Sequence, residues 1–281
     1  MKELEEISKL QDEDYKRLVG VSKADFQFLL MRLQHLQEDD KKRNPMKNRG
    51  IKGNLTLEHQ LLLTFYYLRH YATFQILGQF FGISESYCCK VYQKISRYLL
   101  RILSVSGRKA LLDTDLEAIA IDVTEQPIER PVIGQQDYFS GKKKQHTIKV
   151  QLIICLITLK ILMVYCAKGT VHDFKMLKNS RVAINKTTKK LADSGYQGIG
   201  KLYENTEIPF KKPKGGQLTE AQKQHNQQLA KKRIVIEHVN RRCKIFRITK
   251  ETYRGKHKNY SKVWNLVAAL VNLRYANDVN A

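Results

Sequence analysis

The apolar pattern of this chain changes its period once, and that change constrains the fold more than any other feature. Up to about residue 103 the apolar positions recur at helical spacing. Residues 25–36 place Phe26, Leu29, Leu30 and Leu33 on one face, and 55–103 continues helically without a proline. Beyond it the pattern turns β-branched: 117–123, 147–155 and 161–167 predict three consecutive strands, the last two forming a hairpin. Residues 190–193 (KLAD) predict a fourth, very short strand before the glycine-rich SGYQG, and Thr219 with Gln222 forms a capping box that opens a long helix. The expected fold class is α+β, a helical N-terminal region followed by a mixed β-sheet flanked by helices. Two domains, 1–110 and 111–281, are expected to join near 104–112. Residues 39–52, charged and holding Pro45 and Gly50, predict a linker or mobile arm.

Within the helical part, Thr73 predicts an N-cap for a helix through Phe81, Gly82 a tight turn, and Ser84 the cap of a second helix toward Leu103. Gly78 supplies the small residue that two crossing helices need, with Leu77, Phe81, Ile83, Cys88 and Val91 as apolar positions. This is helix-turn-helix spacing, in which the second helix enters the major groove of DNA. Lys90, Lys94 and Arg97 would then share its exposed face with Ser86 and Tyr87, placed for phosphates or base edges. An ordinary pair of antiparallel helices with a solvated basic face fits the same spacing.

Charge helps decide between them. The 281 residues hold 50 Lys and Arg against 27 Asp and Glu, a net +23. Such an excess of one sign repels itself in a compact fold, so a polyanionic partner is expected, nucleic acid before an anionic membrane surface. The opening MKELEEISKLQDEDYKR has no secretory apolar core, and the stretch 148–167 is interrupted by Lys149, Gln151 and Lys160. Five cysteines without C-x-x-C spacing argue against a thiolate zinc site or a disulfide framework. A cytoplasmic, nucleoid-associated protein is expected.

In so basic a chain, acids at strand ends are informative. Asp122 closes the run AIAID, Asp193 closes KLAD, and Glu237 lies in the late helix among Ile234, Val235, Ile236 and Val239. An ionised carboxylate in apolar company is costly unless a cation neutralises it. Three carboxylates converging from two strands and a helix repel one another, and a hard divalent cation resolves the conflict. Two such ions about 4 Å apart support phosphodiester chemistry. Arg233, Glu237 and Lys244, at i, i+4 and i+11, project within about 40° of one another on the helix. The same spacing also describes a surface ion-pair ladder.

Asp122 within IDVTE, Asp193 within ADSGYQG and Glu237 within R-x3-E-x6-K together resemble the DDE transposases of insertion sequences, in particular insertion sequence family five and its Harbinger relatives. The segment YFSGKKKQHTIK (138–149) and the triplet HDF (172–174) are similar to that group as well. The resemblance covers 116 to the C-terminus closely and the helical part more loosely. It implies an RNase H-like catalytic domain in which Asp122, Asp193 and Glu237 are the catalytic metal ligands. Arg233 and Lys244 fall at the positions thought to contact element-end DNA. The implied cofactor is Mg²⁺, with Mn²⁺ able to substitute. The implied partners are double-stranded DNA, as terminal inverted repeats and target, and further copies of the chain in a dimer or higher assembly. A tyrosine that related families place three residues before the arginine is Ala230 here, so no hydroxyl role carries over.

Other residues have more modest readings. Glu125 is a candidate auxiliary carboxylate or a solvated loop acid, and Asp173 a candidate cap for the helix after the third strand. His172 is placed to reach a metal or phosphate or to act structurally. Lys142, Lys143 and Lys144 would line a DNA channel or simply be solvated, while Trp264 and Phe246 are expected in the core. Two other readings fit the same residues: an RNase H-like nuclease without strand transfer, and a non-catalytic, transposase-derived DNA-binding protein.

Overall fold

The structure, a computed structural model, describes residues 2–43 and 55–277. It sorts into two compact units. One takes the chain to Ser104 together with Lys244–Lys250, and the other holds Val105–Cys243 and the chain from Glu251 onward.

The first unit is helical: α1 (Lys2–Lys9), α2 (Asp12–Val19), α3 (Lys23–Arg43), α4 (Leu57–His70), α5 (Phe74–Phe81) and α6 (Glu85–Ile102). Helix α3 runs through part of the predicted linker, and the rest of 39–52 lies outside the described residues. Three hydroxyls start three helices. Thr56, Thr73 and Ser84 accept from the backbone N–H groups of His59, Ile76 and Tyr87 at 3.2–3.3 Å, each satisfying an orphan donor of a first turn. The α5–α6 turn follows the predicted chemistry. Gly82 adopts φ +65°, and the Ile83 N–H donates to the Gly78 carbonyl at 2.9 Å. Leu77, Phe81, Cys88, Val91, Ile95 and Leu99 form the buried stripe of this helix pair.

Gly78 is needed for close approach. A Cβ there would sit 2.6 Å from the Ile83 carbonyl oxygen, a backbone atom that cannot swing aside. Gly78→Ala is expected to cost the first unit about 2 kcal/mol, an overpacking penalty. Hydrogen exchange should show lost protection in α5 and α6 while the sheet amides of the second unit keep theirs.

The second unit is built on a six-stranded sheet: β1 (Ala118–Pro127), β2 (Phe139–Ser140), β3 (Gln145–Cys155), β4 (Ile161–Lys168), β5 (Lys189–Leu191) and β6 (Thr206–Glu207). Strands β1, β3 and β4 form an antiparallel meander, β2 pairs the first residues of β3, and β5 and β6 run parallel to β1. The spatial order β4-β3-β1-β5-β6 is RNase H-like. Its helices are α7 (Gln135–Tyr138), α8 (Asp173–Ser180), α9 (Glu220–Lys244) and α10 (Tyr260–Asn277). The capping box at the start of α9 is present: Gln222 N–H donates to Thr219 Oγ1, and Thr219 N–H to Gln222 Oε1.

The period-2 pleat separates two environments. Ile119 and Ile121 of β1, with Ile153 and Cys155 of β3, face a core completed by Leu177, Ala192, Tyr196 and Ile199. On the other face, Gln126 accepts from Tyr260 Oη and Trp264 Nε1, tying β1 to the fully buried tryptophan of α10. Leu229, Ile236, Val239 and Cys243 form the buried stripe of α9. No helix among the described residues is long and apolar enough to cross a membrane.

Candidate active site on two parallel strands and a helix

The sheet register brings two of the predicted acids together. Ala118 pairs with Lys189 and Ala120 with Leu191 across the parallel β1–β5 edge. Two residues beyond that ladder stand Asp122 and Asp193, and the Asp193 charge helps to raise the Asp122 carboxyl. Chain direction matters here, because parallel strands deliver their C-terminal ends to the same edge of the sheet.

Asp122 is the electrostatic centre of the site. Its side chain, 20% exposed, accepts from Asn240 Nδ2 at 2.9 Å and lies 3.6 Å from an Arg233 guanidinium nitrogen. Burial pushes its carboxyl up to about 6; Arg233 opposes that rise, while Asp193 and Glu237 add to it. Asp193 caps the turn Ser194–Tyr196, its Oδ1 accepting from the Gly195 N–H at 2.8 Å.

Glu237 departs from its expected environment. It is exposed, because the helical period turns its neighbours Ile236 and Val239 into the core and Glu237 away from it. The desolvation argument therefore applies to Asp122 and not to Glu237. Among the described residues, no three His, Cys, Asp or Glu side chains are gathered as a ready ligand set for a metal ion. The donor set nonetheless suits a hard divalent cation. It offers carboxylate oxygens only, and the like charges of Asp193 and Glu237 raise Asp122, a conflict that a cation would relieve.

Sequence reasoning missed Asn240. It is buried, and its Oδ1 has no hydrogen-bond partner while its Nδ2 holds Asp122. It lies seven residues after Arg233, so two turns of α9 present both groups to the same carboxylate. The i+7 position from Arg233, on the same helical face, is the signal that would have found it. Arg233 itself is largely buried on Asp122. Lys244, half-buried, is the last residue of α9 and groups with the first unit.

A second polar network lies on the opposite face. Lys149 bonds Asp173 at 2.9 Å and lies 3.8 Å from Glu125, its register partner, which also accepts from Thr147 Oγ1. Glu125, three residues from Asp122, points away from it, because an odd separation along a strand reverses the face. Asp173 is not the cap of α8. His172, which is exposed, holds the N-cap position, and Asp173 is spent on Lys149. A Cβ on Gly195 would lie 3.0 Å from both Asp173 Oδ2 and Asp193 Oδ1, so this glycine lets two carboxylates approach one turn. Beside them Tyr196 is fully buried and donates to Gln151 Oε1; burial and three nearby carboxylates keep its hydroxyl protonated.

The predicted DNA-facing cations are placed unevenly. Lys142, Lys143 and Lys144 are all exposed in the turn before β3, and Lys90 and Arg97 are exposed on α6. Lys94 is not: its Nζ lies 3.5 Å from Gln60 Oε1, and burial, aided by Lys41, lowers its pKa. Trp264 and Phe246 are both core residues.

Residues 121–272 match the family model of the DDE superfamily endonucleases, and 53–104 match that of the helix-turn-helix of DDE superfamily endonucleases. The first match spans the segment that carries Asp122, Asp193 and Glu237. The second contains α4, α5 and α6. Across 97% of this chain and 98% of the relative, a protein of Microchaete diplosiphon named as the probable transposase for insertion sequence element IS702 is 39% identical. A Streptomyces albus G protein named as a candidate transposase for IS112 is 26% identical over 72% of this chain and 75% of its own length. The superfamily works with divalent metal ions, in keeping with the all-oxygen donor set. Fold, site and relatives agree: the chain belongs to the DDE superfamily of endonucleases, among the transposases of insertion sequences.

Proposed function

We propose that this enzyme binds the terminal inverted repeats of its own element, cuts DNA at the ends, and joins the freed 3′-hydroxyl to target DNA. In this reading residues 1–110 recognise DNA through the helix-turn-helix and 111–281 carry out the chemistry. The observation that carries the proposal is that the charges of Asp193 and Glu237 both act on the largely buried Asp122 at the C-terminal ends of two parallel strands.

Asp122, Asp193 and Glu237 would hold the divalent ion, Mg²⁺ with Mn²⁺ as a substitute. When bound, such an ion lowers the pKa of water and neutralises charge on a phosphoryl oxygen. The other residues position these ligands. Asn240 fixes one oxygen of Asp122 by a hydrogen bond, and Arg233 balances its charge. The Gly195 N–H fixes Asp193 at the mouth of its turn. Two element ends must meet for joining, so a dimer or higher assembly on DNA is expected, in the cytoplasm and at the nucleoid.

The test is incubation with Mg²⁺ and a supercoiled plasmid carrying the DNA that flanks the gene on both sides. Cut and joined products support the proposal. Cutting without joined product leaves a nuclease, and DNA binding without cutting leaves a non-catalytic DNA-binding protein.

Salt dependence separates the cations of α6. Lys90→Ala and Arg97→Ala are each expected to reduce the slope of log affinity against log salt by about 0.9, one phosphate contact apiece. Lys94→Ala should leave the slope nearly unchanged, because its ammonium is committed to Gln60.

A further inference from the structure

Between β1 and α7 the chain projects a tip, Pro131-Val132-Ile133-Gly134, whose two central residues are 93% and 87% exposed. Among the described residues no other large apolar side chain is exposed above 61%. Single exposed hydrophobics are ordinary on protein surfaces, but two adjacent, almost bare β-branched side chains at one tip call for a partner.

The tip is held in shape. At its base the Ile128 N–H donates to the His146 carbonyl at 3.0 Å, and Ile128 bridges to Tyr253. Arg130 Nε donates to Gln135 Oε1 at 2.8 Å, closing the loop across the two apolar residues. Gly134, at φ +68°, starts α7, and the Asp137 N–H returns to its carbonyl. A loop braced on both sides presents its side chains at little entropic cost on binding.

The chain around it is basic in sequence. Over 129–144 four cations, Arg130, Lys142, Lys143 and Lys144, stand against two acids, Glu129 and Asp137. Asp137 is already paired with Lys168 at 2.6 Å. The three lysines, all exposed, occupy the turn that joins β2 to β3, and the exposed Phe139 stands on β2 beside His146. Size narrows the choice of occupant. A stable protein interface buries about 800 Å² per partner, far more than two side chains offer. Insertion at a DNA base step takes one or two apolar side chains, flanked by cations for the phosphates.

We propose that Val132 and Ile133 form an apolar wedge that enters the DNA stack at a base step, with Arg130 and Lys142, Lys143 and Lys144 gripping the adjoining phosphates. The inference rests on the reading that DNA is the substrate and adds a way of deforming it. A wedge opens a base step for a few kcal/mol, which brings a bent or unstacked end toward the carboxylates.

The experiment uses the full chain and a duplex taken from the DNA flanking the gene, with 2-aminopurine placed at successive positions near its end. Unstacking by the wild-type protein should raise fluorescence about threefold at one step. The variant carrying Val132→Ala and Ile133→Ala should lose that rise while binding the duplex within about threefold of wild type, because the phosphate contacts remain. Binding without a rise at any position, or an undiminished rise with the double variant, overturns the wedge and leaves the DNA reading standing. Failure of the wild-type protein to bind the duplex fails the DNA reading itself and takes the wedge with it. A dimer seen by sedimentation that the double substitution dissociates assigns the tip to a second copy of the chain and overturns the wedge.

Discussion

Asp122→Asn is expected to lower Mg²⁺-dependent cleavage more than about 100-fold, since removing even an outer partner of a metal ligand costs 10–100-fold. The same substitution should make the protein harder to unfold at pH 8. Asp122 is raised from 3.8 to about 6 in the fold, chiefly by burial, so the folded state favours its protonated form. Its contribution is fully present below about pH 4 and is lost as pH rises through about 6. Above that, the fold carries an ionised carboxylate that it disfavours. A shift of about two units corresponds to roughly 3 kcal/mol, reduced to about 2 because the side chain keeps some solvent and Arg233 loses its counter-charge in the variant. Urea unfolding at pH 4 and pH 8 checks the sign: the variant should gain at pH 8 and not at pH 4. Equal midpoints at both values would remove the electrostatic account of this site, and retained cleavage would remove its catalytic one.

Lys190→Met is expected to be the most destabilising single change in the sheet. Lys190 is fully buried in β5, three residues before Asp193. Its ammonium donates to the carbonyls of Thr188, Asn185 and Glu204 at 2.7–2.9 Å and reaches Lys186 at 3.4 Å. One cation thus ties the chain entering β5 to the chain entering β6. Methionine fills similar volume but donates nothing, leaving three carbonyls without their donor. The expected loss is about 3 kcal/mol, or roughly 8 °C in melting temperature for a unit of this size. Hydrogen exchange gives the local readout. The Lys190 and Ala192 amides, which bond Asn205 and Glu207 across the β5–β6 edge, should lose protection first. Unchanged melting would mean that solvent satisfies those carbonyls.

Both effects depend on groups that local patterns present very differently. The sequence alone was sufficient wherever the interaction spans a turn or two: the Thr73 and Ser84 caps, the Gly82 turn and the Thr219–Gln222 box. These rest on contacts three to five residues apart, so the pattern and the bond are the same object. It was sufficient, too, to single out Asp122 as an acid in a costly setting, whereas the apolar company expected around Glu237 is not what the fold provides. Tertiary structure decided the rest. Pairing β1 with β5 joins segments far apart in the chain, and no periodicity encodes which strand lies beside which. Only that pairing brings the chain ends that carry Asp122 and Asp193 to one edge and buries Lys190 in the sheet, and only the packing of α9 makes Asn240 a partner of the central carboxylate. Lys94 looked as exposed as Lys90 until Gln60 of another helix met it. The sequence by itself determined the elements, because those follow from local spacing and chemical type. Only the tertiary structure decided what each charge faces, because burial and partner choice depend on segments that meet only when the sheet closes.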